Sequence, residues 1–133
     1  TGGNISHDIT MIPGSSKYFK GSVVAYSNEV KINVLNVPHC DIDKYGAVSK
    51  EVVEHMASGV RELLNVDFAV ATSGVAGPTG GTENNPIGTI YIAISSTSST
   101  HSKRFQLFGN RDSIVNQSVI KAVTYLLSEL KKR

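Results

Sequence analysis

The chain has 133 residues, 40% hydrophobic and 18% charged, with a formal net charge of +2, which fits one globular domain of ordinary composition and leaves no room for a second. No apolar run approaches the roughly 20 residues needed to cross a bilayer and no basic, apolar leader precedes the first periodic segment, so a soluble, unsecreted, cytoplasmic protein with no membrane partner is expected. The positive charge is scattered except for the tail Lys131, Lys132 and Arg133, which complements the dipole of a preceding helix; with no basic stripe, direct nucleic-acid binding is not expected.

After the turn-like Pro13-Gly14-Ser15-Ser16, residues 21–27 are β-branched and aromatic and predict a strand. Asn28 is then a candidate N-cap for a short helix that carries Lys31 in its first turn, passes Leu35 and stops before Pro38. Ser49 is a good N-cap, and Val52, Val53, Met56, Val60, Leu63 and Leu64 recur at helical spacing behind it. Residues 67–73 are nearly continuously apolar, the pattern of a strand buried on both faces. They stop at a loop, 74–81, with four glycines and a proline, followed by the polar stretch 82–86. Residues 87–95 read as a strand, the serine-rich 95–102 as a connection, and 103–108 as a strand of alternating polarity; the last two strands are plausible antiparallel neighbours. Ile114, Val115, Val119, Ala122, Val123, Leu126, Leu127 and Leu130 trace one apolar face of a long terminal helix. Helices mixed with strands of both buried and alternating pattern predict a layered α/β domain with a mixed sheet.

Two places could carry chemistry. Glycines after the strand ending at Ser73 let backbone N–H groups approach a phosphate or an oxyanion, and open α/β sheets bind ligands beyond the carboxyl ends of their strands. The loop matches neither the P-loop nor the dinucleotide fingerprint, so ligand loop and plain connection both stay open. The second place joins Tyr26, Ser27 and Asn28 at a strand end to Lys31 one helical turn later. A lysine there serves as a general base if burial lowers its pKa, with a tyrosine hydroxyl to relay the proton, but the same spacing also suits caps and surface groups.

Elsewhere the signals favour bland roles. His7, His39, His55 and His101 lie far apart and suggest no metal site. Cys40 has no partner in the chain, consistent with a reducing compartment, and His39 beside it lacks an orienting acid. Ser118-Val119-Ile120-Lys121 has the Ser-x-x-Lys spacing but sits inside the terminal helix. Arg111, ahead of that helix, either clamps a phosphate or pairs with Asp112.

Three blocks then carry a resemblance: Pro13-Gly14-Ser15-Ser16-x-Tyr18-Phe19-x-Gly21-x-Val23-Val24-Ala25-Tyr26-Ser27-Asn28-Glu29-x-Lys31, Tyr45-Gly46-Ala47-Val48-Ser49, and Ser73-Gly74-Val75-Ala76-Gly77-Pro78-x-Gly80-Gly81. With residues 86–93 and 109–111 they cover essentially the whole chain, which closely resembles the CinA C-terminal-domain family. The resemblance implies a three-layer α/β/α sandwich. It also implies an amidohydrolase that converts nicotinamide mononucleotide to nicotinic acid mononucleotide and ammonia without a cofactor, in a homo-oligomer. Lys31 would be the base that activates the nucleophile and Tyr26 its partner. Ser73, Gly74, Ala76 and Gly77 would contact the substrate, with Thr1, Gly2, Ser27, Asn28 and Arg111. The family motif runs Glu-Ser-x-Thr-Gly-Gly, and this chain opens at Thr1-Gly2-Gly3. Residues 1–133 are therefore expected to form one domain of this type without the family's N-terminal helix, first strand and nucleophilic serine. Ser73 stands where the family usually has Thr, and Asn110 where it usually has Asp. Two other classes stay open: a non-catalytic nucleotide-binding or regulatory module, and a competence or damage-response interaction protein.

Overall fold

Three extended segments form one sheet in the computed structural model, which describes residues 1–133: β1 (Phe68–Gly74), β2 (Thr89–Ser96) and β3 (Thr100–Gln106), in the spatial order β1-β2-β3. Five helices surround it: α1 (Asn4–Thr10), α2 (Asn28–Asn33), α3 (His39–Tyr45), α4 (Lys50–Leu64) and α5 (Arg111–Leu130). Helix α4 covers one face of all three strands and α5 packs on β1 and β2. Two apolar clusters separate the layers. Leu35, Val37, Val52, Val53, Met56 and Ala57 meet Ala71 and Ala93 on the α4 side, whereas Ile90, Ile92 and Ile94 meet Ile114, Ala122 and Tyr125 on the α5 side. Burying each such isoleucine contributes about 1.5–3 kcal/mol, so these alternating β2 residues fix which face meets which helix.

The expected α/β class and helix-sheet-helix layering are present. Within residues 1–133 the sheet is wholly antiparallel rather than mixed, because β2 runs back along β1 and β3 returns along β2 through a tight turn. That turn lies inside the serine-rich stretch expected to be only a connection. Ser95 and Ser96 end β2, Thr100 begins β3, and the Ser96 hydroxyl accepts from the backbone N–H groups of Ser98 and Ser99 at 3.3 and 3.1 Å. The strand covered on both faces is β2; β1, expected in that role, is mostly half-buried because only one of its edges is paired.

Residues 21–27 correct another expectation. They are extended, and Val23 and Ala25 pack toward the α4-side cluster while Val24 and Tyr26 face out, so the alternation is real. No strand lies alongside, however, and the segment joins no ladder; its backbone bond from Tyr26 N to Val24 O at 3.0 Å is local. A groove of about 910 Å³, lined mainly by apolar residues, separates it from β1, α1 and α5.

Ser49 caps α4 by accepting from Val52 N at 3.3 Å. Further along α4, Gly59 passes so close to the Leu35 carbonyl that a Cβ would overlap it. Helix α3 is not foreshadowed by any apolar period, and α1 carries only the short pair Ile5 and Ile9 four positions apart. No helix is long and apolar enough to cross a membrane.

Candidate functional site

Helix α2 begins at Ser27, whose hydroxyl accepts from Val30 N at 3.2 Å, so the cap is Ser27 rather than Asn28, the exposed first helical residue. This start turns Lys31 inward, where it is only 6% exposed. Its ammonium donates to the carbonyls of Ala25, at 2.9 Å, and Tyr26, at 3.4 Å, and pairs with no carboxylate. Burial without a counter-ion penalises the charged form and holds the Lys31 pKa below the ordinary lysine value. Tyr26 meets Lys31 through its main-chain oxygen, while its ring is 79% exposed.

The other wall is the end of β1. Alternation sends Thr72 and Ser73 to opposite faces. The Thr72 hydroxyl lies 3.5 Å from that of Thr1, beside a small cavity of about 40 Å³ that Gly74, Ala76 and Ser118 also border. Ser118 is sealed there, its hydroxyl donating to Ile114 O at 2.7 Å, the packing role expected of a helix serine. Ser73 donates to Ala47 O at 2.7 Å. Gly74 pairs with Ile90, and a Cβ there would collide with the Ile90 side chain and the Thr89 carbonyl, so the strand end requires a residue without one.

Beyond Gly74 the loop is tied down. Val75 N donates to Thr89 O at 2.9 Å, Gly88 N to Val75 O at 2.7 Å, and Arg111 Nη1 to Gly77 O at 2.8 Å. Asn110 caps α5 by accepting from Ser113 N at 2.9 Å, which sets Arg111 at the first helical position. Thr1, half-buried, meets this end of β1 through its hydroxyl. Gly2, in a left-handed conformation, is exposed beside it. The site is thus a cationic corner with one desolvated amine, hydroxyls from Thr1 and Thr72, and a glycine loop held by an arginine.

A model of the CinA C-terminal domain matches residues 1–130. The chain belongs to the CinA C-terminal-domain family. It is 48% identical over 126 residues to a CinA-like protein of Fervidobacterium nodosum and 49% identical over 128 residues to one of Thermosipho melanesiensis. Each match takes 95% of this chain but only 31% and 32% of those proteins, so the chain spans about a third of the length of the curated relatives it matches. The competence damage-inducible protein A of Klebsiella pneumoniae superposes with a TM-score of 0.94 at 33% identity, covering 98% of this chain and 81% of its own. The competence/damage inducible protein CihA of Agrobacterium tumefaciens gives 0.91 at 31% identity, covering 96% and 78%.

Set in this family, the blocks quoted from the sequence fall at the corner just described: the first supplies Lys31 and its two carbonyl acceptors, the second the Ala47 carbonyl, the third Ser73 and the glycine loop. Thr72 and Asn85 were not among the expected residues. Asn85 Nδ2 donates to Val48 O at 2.9 Å, bracing the same turn that Ser73 holds. The Asn85-Pro86 pair is a turn signal that marks the loop but not its partner. No three His, Cys, Asp or Glu side chains come together anywhere in the chain; His39 instead approaches Asp43 at 3.6 Å, and Cys40 is exposed.

Proposed function

We propose that the protein is an amidohydrolase that converts nicotinamide mononucleotide to nicotinic acid mononucleotide and ammonia. One observation carries the reading: Lys31 is a buried amine whose bonds go only to carbonyl oxygens, with no acid to fix its charge. Such an amine gives up its proton more readily than an ordinary lysine and can then accept one from a nucleophilic hydroxyl. In the family motif that hydroxyl belongs to the serine two positions before the threonine matched by Thr1, whose own hydroxyl lies 3.5 Å from that of Thr72 at the end of β1. The apolar groove along the outer edge of β1 gives room for the helix and strand that accompany the serine. We assign Arg111 and the loop amides to the nucleotide's phosphate, where a guanidinium and glycine-rich backbone suit an anion. The exposed, unpaired thiol of Cys40 fits a cytoplasmic setting.

Ammonia release from nicotinamide mononucleotide by the whole protein tests the reading. Lys31→Ala is expected to lower turnover by about 100-fold or more, the lower range for losing a general base. Nucleotide binding without ammonia release would favour a regulatory module, a role consistent with relatives about three times as long as this chain.

A further inference from the structure

The turn between α3 and α4 has three successive carbonyls, and each accepts from a side chain. Gly46 O accepts from Ser49 Oγ at 2.7 Å, Ala47 O from Ser73 Oγ at 2.7 Å, and Val48 O from Asn85 Nδ2 at 2.9 Å. The donors come from α4's cap, the end of β1 and the polar loop before β2, so the turn is pinned from three directions. The loop supplying Asn85 is itself fixed: Thr82 Oγ1 accepts from Asn85 N at 3.0 Å, and Arg104 donates to Asn84 O at 2.8 Å.

A serine hydroxyl has one hydrogen and two lone pairs. In Ser73 that hydrogen is committed to Ala47 O, a carbonyl with no other partner. Turning it toward a ligand would strand that carbonyl, so toward a ligand Ser73 offers lone pairs. Ser73 shares its face of β1 with Ala71, which packs in the cluster joined by Ala25 and Ile32, the neighbours of Lys31. The hydroxyl therefore lies on the face of the sheet against which these neighbours of Lys31 pack, and on the amidohydrolase reading that face meets the reacting end of the substrate.

We propose that the Ala47–Val48 turn, braced by Asn85, fixes Ser73 as a hydrogen-bond acceptor that selects a carboxamide over the corresponding carboxylate. The inference rests on the amidohydrolase reading and deepens it. A carboxamide N–H can donate to Ser73, whereas a carboxylate has no hydrogen to give and faces a lone pair. The same contact that admits the amide would hasten release of the acid formed from it. Asn85 acts through the turn as a positioning residue.

The test compares two constants in the whole protein: KM for nicotinamide mononucleotide and the inhibition constant of nicotinic acid mononucleotide. Ser73→Ala should raise KM by about tenfold, the worth of one hydrogen bond, while leaving the inhibition constant unchanged or lowering it, because the lone pair facing the acid is gone. Ser73→Thr, which keeps the hydroxyl, should retain the preference. Asn85→Asp, which takes the donor from Val48 O, should lower the ratio of the inhibition constant to KM several-fold. Equal weakening of both nucleotides by Ser73→Ala, or a larger loss for the acid, would overturn the proposal, as would an unchanged ratio in Asn85→Asp. Absence of ammonia release from the unaltered protein would remove the amidohydrolase reading, and this inference with it.

Discussion

Lys31 Nζ donates to the Ala25 carbonyl at 2.9 Å, so the one buried amine of the fold is held by the segment immediately preceding its own helix. Its pKa lies below the ordinary lysine value of 10.5. Between the lowered folded value and 10.5 the unfolded chain binds more protons at this site than the folded protein, so folding stability from Lys31 rises with pH across that window. Denaturant unfolding measured from pH 7 to 10 should show the parent gaining on Lys31→Met as the pH rises. Parallel curves would mean the amine is not desolvated.

Arg111 ties the N-terminus of α5 to the glycine loop through Gly77 O. Arg111→Ala should loosen the loop and remove the proposed phosphate contact together, raising KM by about tenfold or more. The global melting temperature should move little, because the residue is exposed. Arg111→Lys should recover only part of the loss, since an ammonium cannot reproduce the planar fork. A variant with unchanged KM would free Arg111 of any ligand role.

At Gly59 two effects oppose one another. Alanine is better than glycine in a helix interior by about 1 kcal/mol. The added Cβ, however, would overlap the Leu35 carbonyl, and the obstacle is backbone rather than a flexible side chain. Overpacking of this kind typically costs about 1–3 kcal/mol, so Gly59→Ala should be net destabilising. A gain in stability would show that α4 can shift away from the Leu35 turn.

Glu129 near the end of α5 receives Lys132 at 2.8 Å and His101 from β3 at 3.1 Å. Its pKa is lowered, first by the hydrogen bond from Lys132 and with support from His101, below the ordinary 4.5. A carboxylate so depressed adds stability that is fully present above 4.5 and is lost as the pH falls through the lowered folded value. Glu129→Gln should therefore flatten part of the acid limb of an unfolding curve while changing the slope above pH 7 little. An unaltered acid limb would assign the acid sensitivity to other carboxylates.

Helices α4 and α5 were legible because each repeats apolar residues over several turns, and Ser49 announced its cap. Helix α3 was not: in His39–Tyr45 only Ile42 is buried, and a single apolar position shows no period. Residues 21–27 misled in the opposite way. Their alternation correctly gave the facing of Val23 and Ala25, but pairing is a relationship with a distant segment that no local pattern contains. At the site, Lys31 and Arg111 stood out by type and position. The meetings of Thr1 with Thr72 and of Arg111 with Gly77 join distant chain segments, and Asn85 hides because its partner, the Val48 carbonyl, belongs to the backbone.

Ammonia release from nicotinamide mononucleotide, followed in parallel for the whole protein and its Lys31→Ala variant, tests the central claim most directly. The account predicts turnover by the first and a loss of about 100-fold or more in the second. Equal turnover by both would contradict the role given to Lys31, and no turnover by the parent would contradict the amidohydrolase reading itself.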